Sequence, residues 1–283
     1  YWFPNGVGLF LAPLIPLAIF LFIQNFSVLQ ERNWKLETGN WGRRLSLVSS
    51  FLFLVSSPFA ILFAKSTGGL IGAAAGIGAP LVLWKKTRWP TLAIGLASLL
   101  VLALLPMNKP IKQELLMQDR SGQIRINMLG ETTELLRANP LTGAGLASYS
   151  KRIAPYHHPI NGNDNIEIFH HQHNIFLTMW VNLGILGLIG FVWMIVWFYR
   201  VGLTEIIKKE KIKTPPPSRG RLGGCYSELL ENDLIPFLLS SMTALITTGL
   251  VDSHYIKNDL ALFFWLLLAL LLCAEKQYST DNL

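Results

Sequence analysis

Charge is scarce in this chain. Only 14% of its 283 residues are Asp, Glu, Lys or Arg, whereas 51% are hydrophobic. Too few charged side chains to solvate a globular surface exclude an ordinary water-soluble domain and assign the chain to a membrane. Cysteine is scarcer still, with Cys225 and Cys273 the only two, so no disulfide framework can organise the fold. Internal repeats are lacking. No cleavable leader is expected from the first apolar segment, which has no basic preface and no small-residue cleavage site before residues 30–44. The chain starts at Tyr1 without an initiator methionine, and is expected to be the C-terminal part of a longer protein.

What is present in quantity is apolar sequence in runs near the 17 to 25 residues that cross a bilayer core. Seven such runs occur, near 7–29, 45–64, 69–84, 90–106, 174–199, 232–251 and 258–273, and those at 69–84 and 258–273 are short. The expected fold is an all-α polytopic bundle of about seven transmembrane helices. Residues 1–106 would hold four spans, 107–173 a long extracytoplasmic loop, and 174–283 three more spans.

Orientation follows from Lys and Arg, which short loops retain on the cytoplasmic side. Segments 30–44, 85–89, 200–231 and the tail after 273 hold 15 of the 24 basic residues, while the opposite short turns hold only Lys65 and Lys257. The remaining seven lie in 107–173, which is long enough to be exempt from the rule. This puts 107–173 and all six histidines outside, and both cysteines inside, where a reducing compartment disfavours a disulfide. The stretch "KKEKIKTPPPSRGR" at 208–221 reads as a basic cytoplasmic linker attracted to anionic lipid. The net charge of +7 is accounted for by these inner loops and calls for no nucleic acid.

The long loop is patterned. Ile124, Met128, Leu129, Leu135 and Leu136 recur at roughly helical spacing until Asn139-Pro140, which predicts an amphipathic helix. The following "LTGAGL", 141–146, predicts a glycine turn that presents backbone N–H groups, a weak signal for anion binding. At the loop's exit, "FHHQHNIF" brings three histidines within four residues to the edge of an apolar run. Asn174 is placed to cap the helix that begins there.

Taken together, these motifs resemble the O-antigen ligase and polymerase family of bacterial membrane glycosyltransferases. His173-Asn174, nine residues, Gly184, two residues and Gly187 is similar to the family's His-Asn…Gly-x-x-Gly signature. "SGQIRINMLGETTELLRANPLTGAGLASY" resembles its Arg-containing segment ending in Asn-Pro-Leu-x-Gly-x-Gly. "GLVDSHYIKNDLALFFWLLLAL" is similar to its last pair of spans and "WFPNGVGLFLAPLIPLA" to an earlier Pro-Asn segment. The resemblance implies transfer of a glycan from a polyprenyl diphosphate, such as undecaprenyl diphosphate, to a hydroxyl on lipid, glycan or protein. That reaction takes place at the outer face of the bacterial cytoplasmic membrane and serves lipopolysaccharide and other envelope glycans.

The implied chemistry assigns roles. The departing pyrophosphate needs a fixed cation, and Arg125 matches the family's loop arginine; binding lipid headgroups is its other reading. The family's second arginine, in a Ser-Arg-Gly element, corresponds here to Thr67, so Lys65 is the nearby cation, either reaching the diphosphate or snorkelling. His173 is the expected base for the acceptor hydroxyl, since the positive end of a helix dipole disfavours imidazolium there. His171, Asp252 and Lys257 are expected to contact substrate. The turn that holds Asp252, His254, Lys257 and Asp259 reads equally as a solvated connector. No metal and no cofactor are expected, because neighbouring histidines on a helix do not share a face and no cysteine lies outside. The competing function is a transporter or flippase of a lipid-linked glycan or a small solute. Transport calls for ionisable groups at mid-membrane, and here they gather at the outer ends.

Overall fold

A computed structural model describes residues 4–31, 41–106, 109–159, 171–212, 234–253 and 258–281. Among them all regular structure is helical: α1 (Pro4–Glu31), α2 (Trp41–Phe63), α3 (Thr67–Leu83), α4 (Lys85–Leu104), α5 (Pro110–Leu115), α6 (Arg120–Ala138), α7 (Tyr149–Ile153) with a 3₁₀ turn at Ala154–Tyr156, α8 (Ile175–Ile212), α9 (Leu234–Gly249) and α10 (Asn258–Asp281). Each of the seven apolar runs is a helix, and the protein is an all-α membrane protein. Four stretches are long and apolar enough to cross a bilayer: Gly6–Phe26, Trp41–Phe63, Lys85–Leu104 and Ile175–Lys208. Two of the other runs are shorter helices, of 17 residues in α3 and 16 in α9.

Contacts divide the chain into two compact units, one of residues 1–80, 197–245 and 262–283, the other of 81–196 and 246–261. The first unit packs through small residues. A methyl group added at Gly69 would lie 2.6 Å from the Gly8 backbone, and one at Gly76 would lie 2.9 Å from the Ala244 side chain. Backbones approach this closely only where side chains are absent, which is how helices associate in lipid. Leu238, Met242, Leu245, Leu267 and Leu271 are fully buried. Lys65 sits in this unit, in the turn between α2 and α3, with a φ of 48°.

In the second unit α4 buries none of its residues, as suits a helix whose whole apolar surface meets lipid. The sequence places an inner loop at 85–89, but the connection is Trp84 alone and the basic residues lie in the first turn of α4. The reason is a polar clasp. Arg88 donates from Nε to the Val82 carbonyl (3.0 Å) and Thr87 from Oγ1 to that of Leu81 (2.6 Å), satisfying carbonyls that the end of α3 leaves open.

The amphipathic helix is α6, capped by Asp119, whose carboxylate accepts from the Ser121 and Gly122 amides. Its buried face includes Met128, Glu131, Thr132, Leu135 and Leu136. Leu129, expected on that face, is 47% exposed, because residues three, four and seven after Met128 share its side of the helix and residue 129 does not. Met128, Leu135 and Leu136 pack with Ala144, Tyr149, Ile153 and Val181 into the loop's own core.

Candidate functional site

The helix α8 begins at an asparagine cap. The Asn174 Oδ1 accepts from the Phe176 and Leu177 amides at 3.0 and 3.1 Å, two donors that have no partner within the helix. Its Nδ2 reaches across to the Leu250 carbonyl at 3.0 Å, which ties the start of α8 to the turn after α9.

His173 is held on both sides. Its backbone amide donates to Gln172 Oε1 at 2.9 Å, and the Gln172 amide donates in turn to Thr132 Oγ1 (3.1 Å) and the Met128 carbonyl (3.3 Å) on α6. Thr132 is fully satisfied: its hydroxyl donates to Met128 O at 2.6 Å and accepts from the Tyr149 hydroxyl at 2.9 Å. Burial pushes the Tyr149 hydroxyl up to about 12, and the Glu131 carboxylate nearby adds to that shift. Gln172, Thr132 and Tyr149 are all buried. A satisfied buried network of this kind fixes one backbone position.

The ring of His173 faces Asp252, with Nδ1 and Oδ1 3.1 Å apart and the side chains 17% and 12% exposed. Burial alone would raise the Asp252 carboxyl, but the hydrogen bond and charge of His173, the Ser253 amide and His171 outweigh it and hold the group below the usual carboxylate range. A carboxylate at this distance from Nδ1 can accept a hydrogen bond from the imidazole and orient the ring. His171 lies beside them, its ring centroid 5.2 Å from that of His173. Ligand atoms of His171, His173 and Asp252 all lie within 4.8 Å of one another. Comparing neighbouring histidines alone misses this grouping, because its third member comes from another turn of the chain.

Arg125 is half-buried on α6, one turn before Met128 and therefore on the helix side that also carries Met128 and Thr132. Lys65 belongs to the first unit. Lys257, His170 and His254 lie outside the described residues. Two histidines that the sequence left without a role secure the loop: His157 Nδ1 pairs with the buried Glu131 at 3.1 Å, and the His158 amide donates to the same oxygen at 2.9 Å.

The glycine turn at 141–146 has a different task from anion binding. The amides of Ala144 and Gly145 both donate to the Val181 carbonyl, at 2.8 and 3.1 Å. That carbonyl is open because α8 breaks at Gly184 (φ 70°, ψ −174°), and the Ile185 amide turns instead to Leu141 O at 3.2 Å. Trp180 Nε1 donates to Pro140 O at 2.8 Å. The Asn-Pro-Leu-x-Gly-x-Gly segment and the first glycine after His-Asn are thus two halves of one joint.

A sequence model of the family described as O-antigen ligase matches residues 50–192, half of the 283-residue chain. The match takes in Arg125, the glycine turn, His171, His173 and Gly184. No curated protein matches the chain.

Proposed function

The chain belongs to the O-antigen ligase family, and from that premise we propose that it transfers a glycan from a polyprenyl diphosphate to an acceptor hydroxyl at the outer face of the bacterial cytoplasmic membrane. The observation that carries this reading is the contact between His173 Nδ1 and Asp252 Oδ1 at 3.1 Å; with Nδ1 donating to the carboxylate, Nε2 is the ring atom we assign as the base. In the reaction the acceptor O–H gives its proton to His173 Nε2, and the oxygen forms a bond to the anomeric carbon. The bond from that carbon to the diphosphate oxygen breaks, and its electron pair leaves with the pyrophosphate. Asp252 stabilises the imidazolium formed and keeps the ring in the productive tautomer. Arg125 supplies the fixed positive charge for the leaving group. Gln172 holds the His173 backbone in position. Metal ions are not required, because Arg125 meets the developing charge and His173 takes the proton.

The acceptor, whether lipid, glycan or protein, decides between ligase and polymerase activity. The lipid-linked donor and membrane lipids are the remaining partners. The outward orientation follows from the basic residues of the inner segments.

The test is transfer of a radiolabelled lipid-linked glycan in proteoliposomes. His173→Ala should lower turnover by about 10²- to 10⁴-fold with donor binding preserved, and excess chelator should leave the wild type active. A transporter would instead lose translocation and form no covalent product. Full transfer by His173→Ala would remove the base assignment.

A further inference from the structure

We propose that His171, His173 and Asp252 bind one divalent cation of the zinc class, and that this ion, when bound, switches off the transfer. The ligand set is two imidazoles and one carboxylate. That combination suits zinc and leaves a fourth position open. One pair of candidate ligand atoms already has the right separation. Zinc bonds of about 2.0–2.1 Å to nitrogen and oxygen put neighbouring ligands of a tetrahedral ion roughly 3.3 Å apart, and His173 Nδ1 and Asp252 Oδ1 stand 3.1 Å apart.

The third ligand is near. One ligand atom from each of the three residues lies within 4.8 Å of the others, so a modest inward shift of the side chains completes the tetrahedral spacing. Both His171 and His173 are partly exposed, which leaves an entry path. The Asp252 side chain is buried beside both imidazoles, so it offers a carboxylate oxygen to a cation held between them. The two residues are held from separate places: the His173 backbone amide donates to Gln172 Oε1, and the Asp252 carboxylate accepts from the Ser253 amide at 2.8 Å, a contact of the kind that orients a ligating carboxylate.

Occupancy and catalysis exclude each other through the position of one proton. A cation between Nδ1 and Oδ1 replaces the hydrogen that Nδ1 gives to Asp252, and the neutral ring must then carry its proton on Nε2. Nε2 is the atom that takes the acceptor's proton, so the filled site has no base. The inhibition rests on the reading of His173 as that base; the binding does not.

The experiment uses the full chain purified in detergent, with zinc titrated against a chromophoric chelator and cobalt as a visible reporter of coordination. Wild type should bind one tight equivalent with a tetrahedral cobalt spectrum. His171→Ala and Asp252→Asn should each weaken it by at least about tenfold, as even outer-shell losses do. The double variant His157→Ala/His158→Ala should bind like wild type. Unchanged binding in both His171→Ala and Asp252→Asn would place the ion elsewhere and overturn the site. Zinc should inhibit glycan transfer by wild type over the concentrations that fill the site. Transfer that continues with the site filled would sink both the switch and the base assignment. Absence of zinc binding, together with loss of transfer in His173→Ala, would sink the metal site alone.

Discussion

The amide of Ile185 donates to the carbonyl of Leu141, so the helix that follows the His-Asn pair gives up one of its own bonds to hold the end of the glycine turn. Gly184 makes this possible, and no side chain fits there. A methyl group at Gly184 would run into the Leu141 carbonyl, on a backbone with a φ of 70°. Gly184→Ala should destabilise the protein by on the order of 1–3 kcal/mol from the backbone alone, with further loss from the clash. Gly190 has nothing within 4 Å of an added methyl, so Gly190→Ala should be neutral or slightly stabilising. Thermal unfolding of both variants in detergent checks this; equal melting temperatures would contradict the role given to the joint.

Asp252 and Arg125 carry separable expectations. Asp252→Asn keeps the shape but presents an amide to Nδ1, which favours the wrong tautomer, and should cut turnover by up to about 10⁴-fold without loss of donor affinity. Arg125→Lys keeps the charge but loses the two-pronged guanidinium, and should reduce transfer substantially through the leaving-group step. Turnover and donor binding measured side by side distinguish these effects. A wild-type turnover in Asp252→Asn would leave the carboxylate without a part in the chemistry.

Tyr149 predicts an alkaline weakness. Its hydroxyl ionises near 10 when unfolded and is pushed up to about 12 in the fold. Unfolding therefore releases a proton between those values. The stabilisation is complete below pH 10 and is lost as pH rises toward 12. Across that window the linked loss amounts to about 2 to 3 kcal/mol. Because other groups also titrate there, the readout is the difference between wild type and Tyr149→Phe. Wild type should lose that much more stability across the window, and parallel curves would refute the linkage.

The orientation has its own test. Single cysteines placed at Lys65, Asn163 and Lys257 should react with an impermeant thiol reagent in intact cells once any outer barrier is permeabilised, and native Cys225 should not. Protection of all three would invert the topology and remove the outward-facing site.

Hydropathy and helical period are local properties of a chain, and they suffice for the seven apolar helices, for the cap at Asn174 and for the end of α6 at Asn139. An apolar run must become a helix in lipid because no water satisfies its backbone, and an asparagine side chain reaches only the amides beside it. His173 and Arg125 stand out for the same local reason, as polar groups beside apolar sequence in recognisable motifs.

What the sequence alone does not decide is the pairings. Glu131 and Thr132 are polar and still turn inward on α6, because His157, Tyr149 and Gln172 are there to bond them. The amides of Ala144 and Gly145, which the glycine motif presents as open donors, are taken by a carbonyl that the break at Gly184 exposes. Asp252 lies 79 residues from His173, a separation at which no period or propensity acts. Only the packing of the turn after α9 against the start of α8 brings that carboxylate to the imidazole, because a contact between distant residues depends on which elements meet, and that is a property of the whole fold.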